Sequence, residues 1–100
     1  MAEREVQTRD IGLREAAAAA LDVIRSMVGK EPVGVTSLEP TDDGWLVAVE
    51  VLEQERVPRT SDILALYEVE IDLDGEIISY RRTRRYLRAD TGESQWEATP

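Results

Sequence analysis

The chain has 100 residues, about one domain's worth, and is 42% hydrophobic without a single phenylalanine, so aliphatic side chains must build most of its core. It contains neither cysteine nor histidine, which excludes disulfides and thiolate metal centres and removes the commonest metal ligand and general base. A net charge of −9 at pH 7 opposes binding to nucleic acid or to an anionic membrane and favours a protein partner.

Residues 1–9 are polar and aperiodic and are expected to form a flexible tail. From Asp10 onward Leu13, Ala17, Ala20, Leu21, Ile24 and Val28 recur at steps of three and four, which predicts a helix with that face toward the core. Asp10 is the expected N-cap, Gly29 the left-handed residue that closes the helix, and Pro32 the residue that prevents its resumption. The apolar run Ala16–Leu21 is short and bounded by charges, unlike a signal peptide or a membrane span. A cytoplasmic location is therefore expected.

After Pro32 the period changes to two. Val33–Leu38 is the first expected strand, ended by Pro40 and a turn at Asp42, Asp43 and Gly44. Trp45, Val47, Val49 and Val51 then alternate with Leu46, Ala48, Glu50 and Leu52, which predicts a central strand with Trp45 beneath the helix. A polar connection, residues 54–61, contains Pro58. Beyond it Ala65, Tyr67, Val69 and Ile71 share one face and Glu68, Glu70 and Asp72 the other; Asp72-Leu73-Asp74-Gly75 supplies a turn, and Glu76–Leu87 returns. The expected fold is α+β: one N-terminal helix packed on a four-stranded antiparallel meander as a two-layer sandwich. The domain should span 10–88, with 89–100 a second flexible tail.

The last strand is the most distinctive segment, because five arginines fall between 81 and 88 in a chain that is otherwise acidic. Strict alternation places Tyr80, Arg82, Arg84, Tyr86 and Arg88 on one face, opposite Glu68 and Glu70, with Glu50 and Glu53 extending the acidic row. Such a strand forms exposed ion pairs or docks an acidic partner. On the second reading Tyr80, Arg82, Arg84, Arg85, Tyr86 and Arg88 are the candidate contact residues, with Arg85 and Arg88 the most available because they lack obvious acidic neighbours. Arginines interleaved with tyrosines also suit RNA, but the net charge opposes it.

Nothing points to an enzyme or to a cofactor. Asp72, Asp74 and Glu76 alternate around Gly75 like calcium ligands yet lack the rest of a twelve-residue loop, so a hairpin turn explains them better. Glu50 and Glu53 fall on opposite faces of one strand and do not converge. Ser61, Ser79 and Ser94 have no histidine to activate them.

Residues 45–88 contain Trp45-Leu-Val-Ala-Val-Glu50-Val-Leu-Glu53, then Arg56-Val57-Pro58, Asp62-Ile-Leu-Ala-Leu-Tyr67-Glu68-Val69, Asp72 with Gly75, and Tyr80-Arg-Arg-Thr-Arg-Arg-Tyr-Leu-Arg88. In this succession the chain resembles the gas vesicle protein O family. The resemblance implies a non-enzymatic accessory protein of gas vesicle formation that works through contacts with other gas vesicle proteins, either with accessory ones alone or with the wall subunit as well. A narrower likeness covers Tyr67–Ile77, which is similar to the hairpin of PepSY domains and would imply an inhibitory or regulatory module. That likeness leaves Arg56-Val57-Pro58 and the basic strand unexplained.

Overall fold

In the computed structural model, which describes residues 10–90, Ile11 is held through both of its backbone polar groups. Its N–H donates to the Leu73 carbonyl at 2.9 Å, and its carbonyl accepts the Trp45 indole N–H at 3.3 Å. A strand and a turn thereby set where the helix begins. Helix α1 runs from Leu13 to Val23 and continues as a wider π-turn over Ile24–Val28. Gly12, not Asp10, occupies the N-cap position, and the Glu15 carboxylate turns back to accept the Gly12 N–H at 3.0 Å. Pinning Ile11 leaves Asp10 too far upstream to cap anything. The far end closes as expected: Gly29 adopts φ 75°, a left-handed conformation that costs glycine nothing, and its N–H reaches the Ile24 carbonyl.

Four strands follow, β1 Glu31–Thr41, β2 Gly44–Gln54, β3 Ile63–Asp72 and β4 Ile77–Leu87, paired antiparallel in the order β1-β2-β3-β4. This is the expected α+β meander. Strand β1 is longer than the Val33–Leu38 segment because it runs through both Pro32 and Pro40. Proline lacks a ladder donor, and an edge strand has a side on which none is needed. The β3–β4 turn closes on Gly75 at φ 90°, with the Gly75 N–H bonded to the Asp72 carbonyl. Short 3-10 turns at Arg59–Ser61 and Arg88–Asp90 flank β3 and β4. The segments expected as tails, 1–9 and all of 89–100 beyond Asp90, lie outside the described residues.

Helix and sheet meet through small side chains. Ala16, Ala20, Val23 and Ile24 are buried against Val47, Val49 and Val51 of β2 and Ala65, Val69 and Ile71 of β3, the strand faces expected to receive the helix. The helix itself is turned from its expected orientation: Ala16 and Val23 are inside, whereas Leu13 is 54% exposed. An alanine face brings the helix axis close to the sheet, and a leucine there would hold it off. Trp45 is half-buried at the edge of this core rather than beneath the helix, and its polar nitrogen spans to Ile11.

The orientation of α1 is testable by truncation. Ile24→Ala should cost about 2–5 kcal/mol in urea unfolding, as buried large-to-small changes do, while Leu13→Ala should cost less than about 1 kcal/mol. Equal costs would place Leu13 in the core.

Candidate protein-interaction site

Strand β4 lies at the sheet edge, and its faces are set by pairing with β3. Leu66 stands opposite Arg84 and Tyr67 opposite Arg82, so Thr83 is an extra residue with nothing across from it. This β-bulge reverses the alternation. Tyr80, Arg82 and Arg85 share the helix side with Val69, Tyr67 and Ala65, whereas Arg81, Arg84 and Tyr86 share the other face with Glu68, Leu66 and Leu64. The single row Tyr80, Arg82, Arg84, Tyr86 and Arg88 expected from strict alternation does not exist. Thr83 anchors the bulge by donating its hydroxyl to the Leu66 carbonyl at 3.2 Å.

With the faces split, the arginines meet different carboxylates. On the helix side Glu53 accepts Arg82 Nη1 at 3.1 Å and Arg85 Nε at 3.0 Å, reaching over β3 where Ala65 offers only a methyl group. Glu53 is itself the extra residue of a bulge in β2. On the far face Arg81 pairs with Glu68 at 3.3 Å, and Glu70 accepts the Ser79 hydroxyl. Arg82 and Arg84 therefore do not pair with Glu68 and Glu70, and Arg85 is not short of an acidic neighbour. Arg84 is the exception: its guanidinium stacks over the Tyr86 ring, 4.8 Å from the centroid, and has no carboxylate partner among the described residues. The exposed pairs contribute about 0–1 kcal/mol each.

Asp62 is the buried polar centre of this end of the sheet, at 1% exposure. Its carboxylate accepts the Arg56 N–H at 2.7 Å and Arg88 Nε at 3.2 Å, and its carbonyl accepts the Arg88 N–H at 2.9 Å. Arg88, expected to be available, is thus committed to the fold. Removing one partner of a buried pair leaves an uncompensated charge and costs about 3–5 kcal/mol, so Asp62 is a structural residue. Sequence reasoning missed it because it opens a strand of alternating apolar residues with no local sign of its partners six and 26 positions away.

The acidic turn also has a backbone role. Asp72 Oδ1 accepts the N–H groups of Asp74 and Glu76, both at 2.9 Å, which is turn chemistry. Among the described residues no group of three or more acidic side chains is arranged to hold a metal ion. No helix there is long and apolar enough to cross a membrane.

Tyr86 carries a perturbed titration. Its hydroxyl donates to Glu50 Oε2 at 2.6 Å. Burial, then this hydrogen bond and the Glu50 charge, push its pKa well above the ordinary tyrosine value, against a smaller lowering by Arg84. Above about pH 10 an unfolded chain has already lost this proton while the folded one retains it. Stability should therefore fall as pH rises past about 10, and Tyr86→Phe should flatten that fall. Denaturation midpoints measured on both proteins across the alkaline range check it, and parallel curves would dissociate Tyr86 from the effect.

The chain matches the family described as gas vesicle synthesis protein GvpO over residues 1–92. It is 49% identical over 71 residues to the gas vesicle protein O of Streptomyces sp. (strain CB03234), an overlap of 71% of this chain and 56% of that protein. Similarity to the gas vesicle protein O of Haloferax mediterranei is 34% identity over 83% of this chain and 60% of the relative. For gas vesicle protein O1 of Halobacterium salinarum it is 33%, over 81% of this chain and 68% of the relative. The chain thus spans between about half and two-thirds of the length of these relatives. No solved structure matches it significantly. With a matched region that takes in the helix, all four strands and the arginine-rich edge, the chain belongs to the gas vesicle protein O family.

Proposed function

We propose that this chain is a non-enzymatic accessory factor of gas vesicle synthesis that acts in the cytoplasm through contacts with other gas vesicle proteins, and that β4 is part of its contact surface. Family membership implies the role in gas vesicle synthesis. A wall protein that presents apolar surface to gas would aggregate in water before assembly, and a factor that masks or nucleates it meets that physical need. The observation that carries the β4 assignment is Arg84, an exposed cation over the Tyr86 ring on the edge strand, without a carboxylate to neutralise it among the described residues. Arginine and tyrosine are, with tryptophan, the side chains enriched where interface energy concentrates. Tyr80 lies on the opposite face of the same edge and is also exposed. Arg82 and Arg85, already bridged by Glu53, present a partly neutralised charge to that side.

Deleting the gene should reduce or abolish vesicles seen by electron microscopy while growth without flotation is unaffected. Complementation with Arg84→Glu should give a protein within about 1 kcal/mol of normal stability that restores few vesicles. Normal vesicles in a deletion strain with no second copy would remove the role, and full rescue by Arg84→Glu would remove β4 from it.

A further inference from the structure

A second surface lies outside β4, on the loop between β2 and β3. Val57 at its apex is 97% exposed, with Arg56 and Arg59 exposed on either side, and Glu55, Arg56, Val57 and Arg59 line an open hollow of about 460 Å³. A fully exposed valine in a slack loop would mean little. This loop is held: Asp62 takes the Arg56 N–H at 2.7 Å, the Pro58 carbonyl takes the Ser61 N–H at 2.9 Å, and the Arg59 carbonyl takes the Asp62 N–H at 2.9 Å. A buried carboxylate is thus spent on fixing a segment that gives nothing to the core. Rigid presentation lowers the ordering cost of an interface.

The charges say what kind of partner fits. On β4 and just beyond it, Arg81, Arg82, Arg85 and Arg88 each have a carboxylate. On the loop, the Arg56 guanidinium donates to the Gln54 amide oxygen at 3.3 Å, and among the described residues neither Arg56 nor Arg59 forms an ion pair. Two cations against the single carboxylate of Glu55, beside an exposed aliphatic group, call for carboxylates around an apolar contact. A second copy meeting this surface with its own loop would set Arg56 and Arg59 against their equivalents, so self-pairing through it is disfavoured.

We infer that the loop Glu55–Arg59 docks an acidic segment of another gas vesicle protein, with carboxylates on Arg56 and Arg59 and an apolar side chain against Val57. The inference rests on the accessory role proposed above and adds a site and a partner chemistry to it.

The test uses the full chain and the other gas vesicle proteins of the same organism, each purified and titrated singly by calorimetry at low and high salt. Val57→Asp and the double variant Arg56→Glu, Arg59→Glu should keep the wild-type denaturation midpoint, because all three side chains are exposed. Both should weaken the same salt-sensitive complex at least about tenfold, the ratio that about 1.4 kcal/mol represents. Wild-type affinity in both variants overturns the loop assignment while leaving the accessory role standing, and Arg84→Glu in parallel shows whether β4 carries the contact instead. A change confined to self-association, read by sedimentation, overturns the choice of partner. No complex with any of these proteins, even for the wild type, overturns the contact role and this site together.

Discussion

The close seating of one alanine-faced helix on β2 and β3 governs the rest of the molecule. A helix is about 10 Å across and strands are spaced about 4.8 Å apart, so one helix covers roughly two strands on one face of a sheet. The fully buried partners of Ala16, Ala20, Val23 and Ile24 accordingly come from the helix-facing side chains of β2 and β3, with Val35 and Leu38 of β1 packed, partly buried, at the margin. Strands β1 and β4 are left as edges, and their composition follows: β1 carries two prolines, and β4 carries arginines and tyrosines in place of a core. Part of the polar bonding of β4 is then supplied from two strands away, by Glu50 and Glu53 of β2 reaching across β3.

How far the sequence could be read depended on whether each segment offered contrast between apolar and polar positions. Strands β2 and β3 alternate valine, alanine and isoleucine with leucine and glutamate, and their pairing and inward faces followed from that pattern. The helix was legible in existence but not in rotation, because Ala16 to Ala20 are identical and the pattern cannot choose Ala16 over Ala17 as the inward residue. Proline misled at β1, where edge position made Pro32 and Pro40 tolerable. The candidate site fared worst. Arg81-Arg82-Thr83-Arg84-Arg85 has no apolar residue to mark the inward face, so a one-residue slip leaves no trace in the pattern. Asp62 was illegible for another reason: its partners are brought to it only by the closed loop and the paired strand.

The two basic surfaces differ in kind. Along β4 most positive charge is absorbed within the fold, by Glu53, Glu68 and Asp62, and what remains for another molecule is the stacked Arg84–Tyr86 pair. On the loop no carboxylate among the described residues pairs with the arginines, while the backbone that bears them is tied down. The shared link is Asp62, which bonds Arg56 on one side and Arg88 on the other, so the loop and the end of β4 hold their positions together.

The extra residue at Thr83 bears on how homologues of this chain should be compared. A bulge acts as a phase change: every side chain after it exchanges faces relative to an uninterrupted strand. A homologue lacking one residue here could align almost perfectly and still present its arginines to the opposite side of the sheet. Column-by-column identity would then count as conserved a surface that has turned inside out. For this family, charge should be compared face by face, with position assigned only after the bulge has been located.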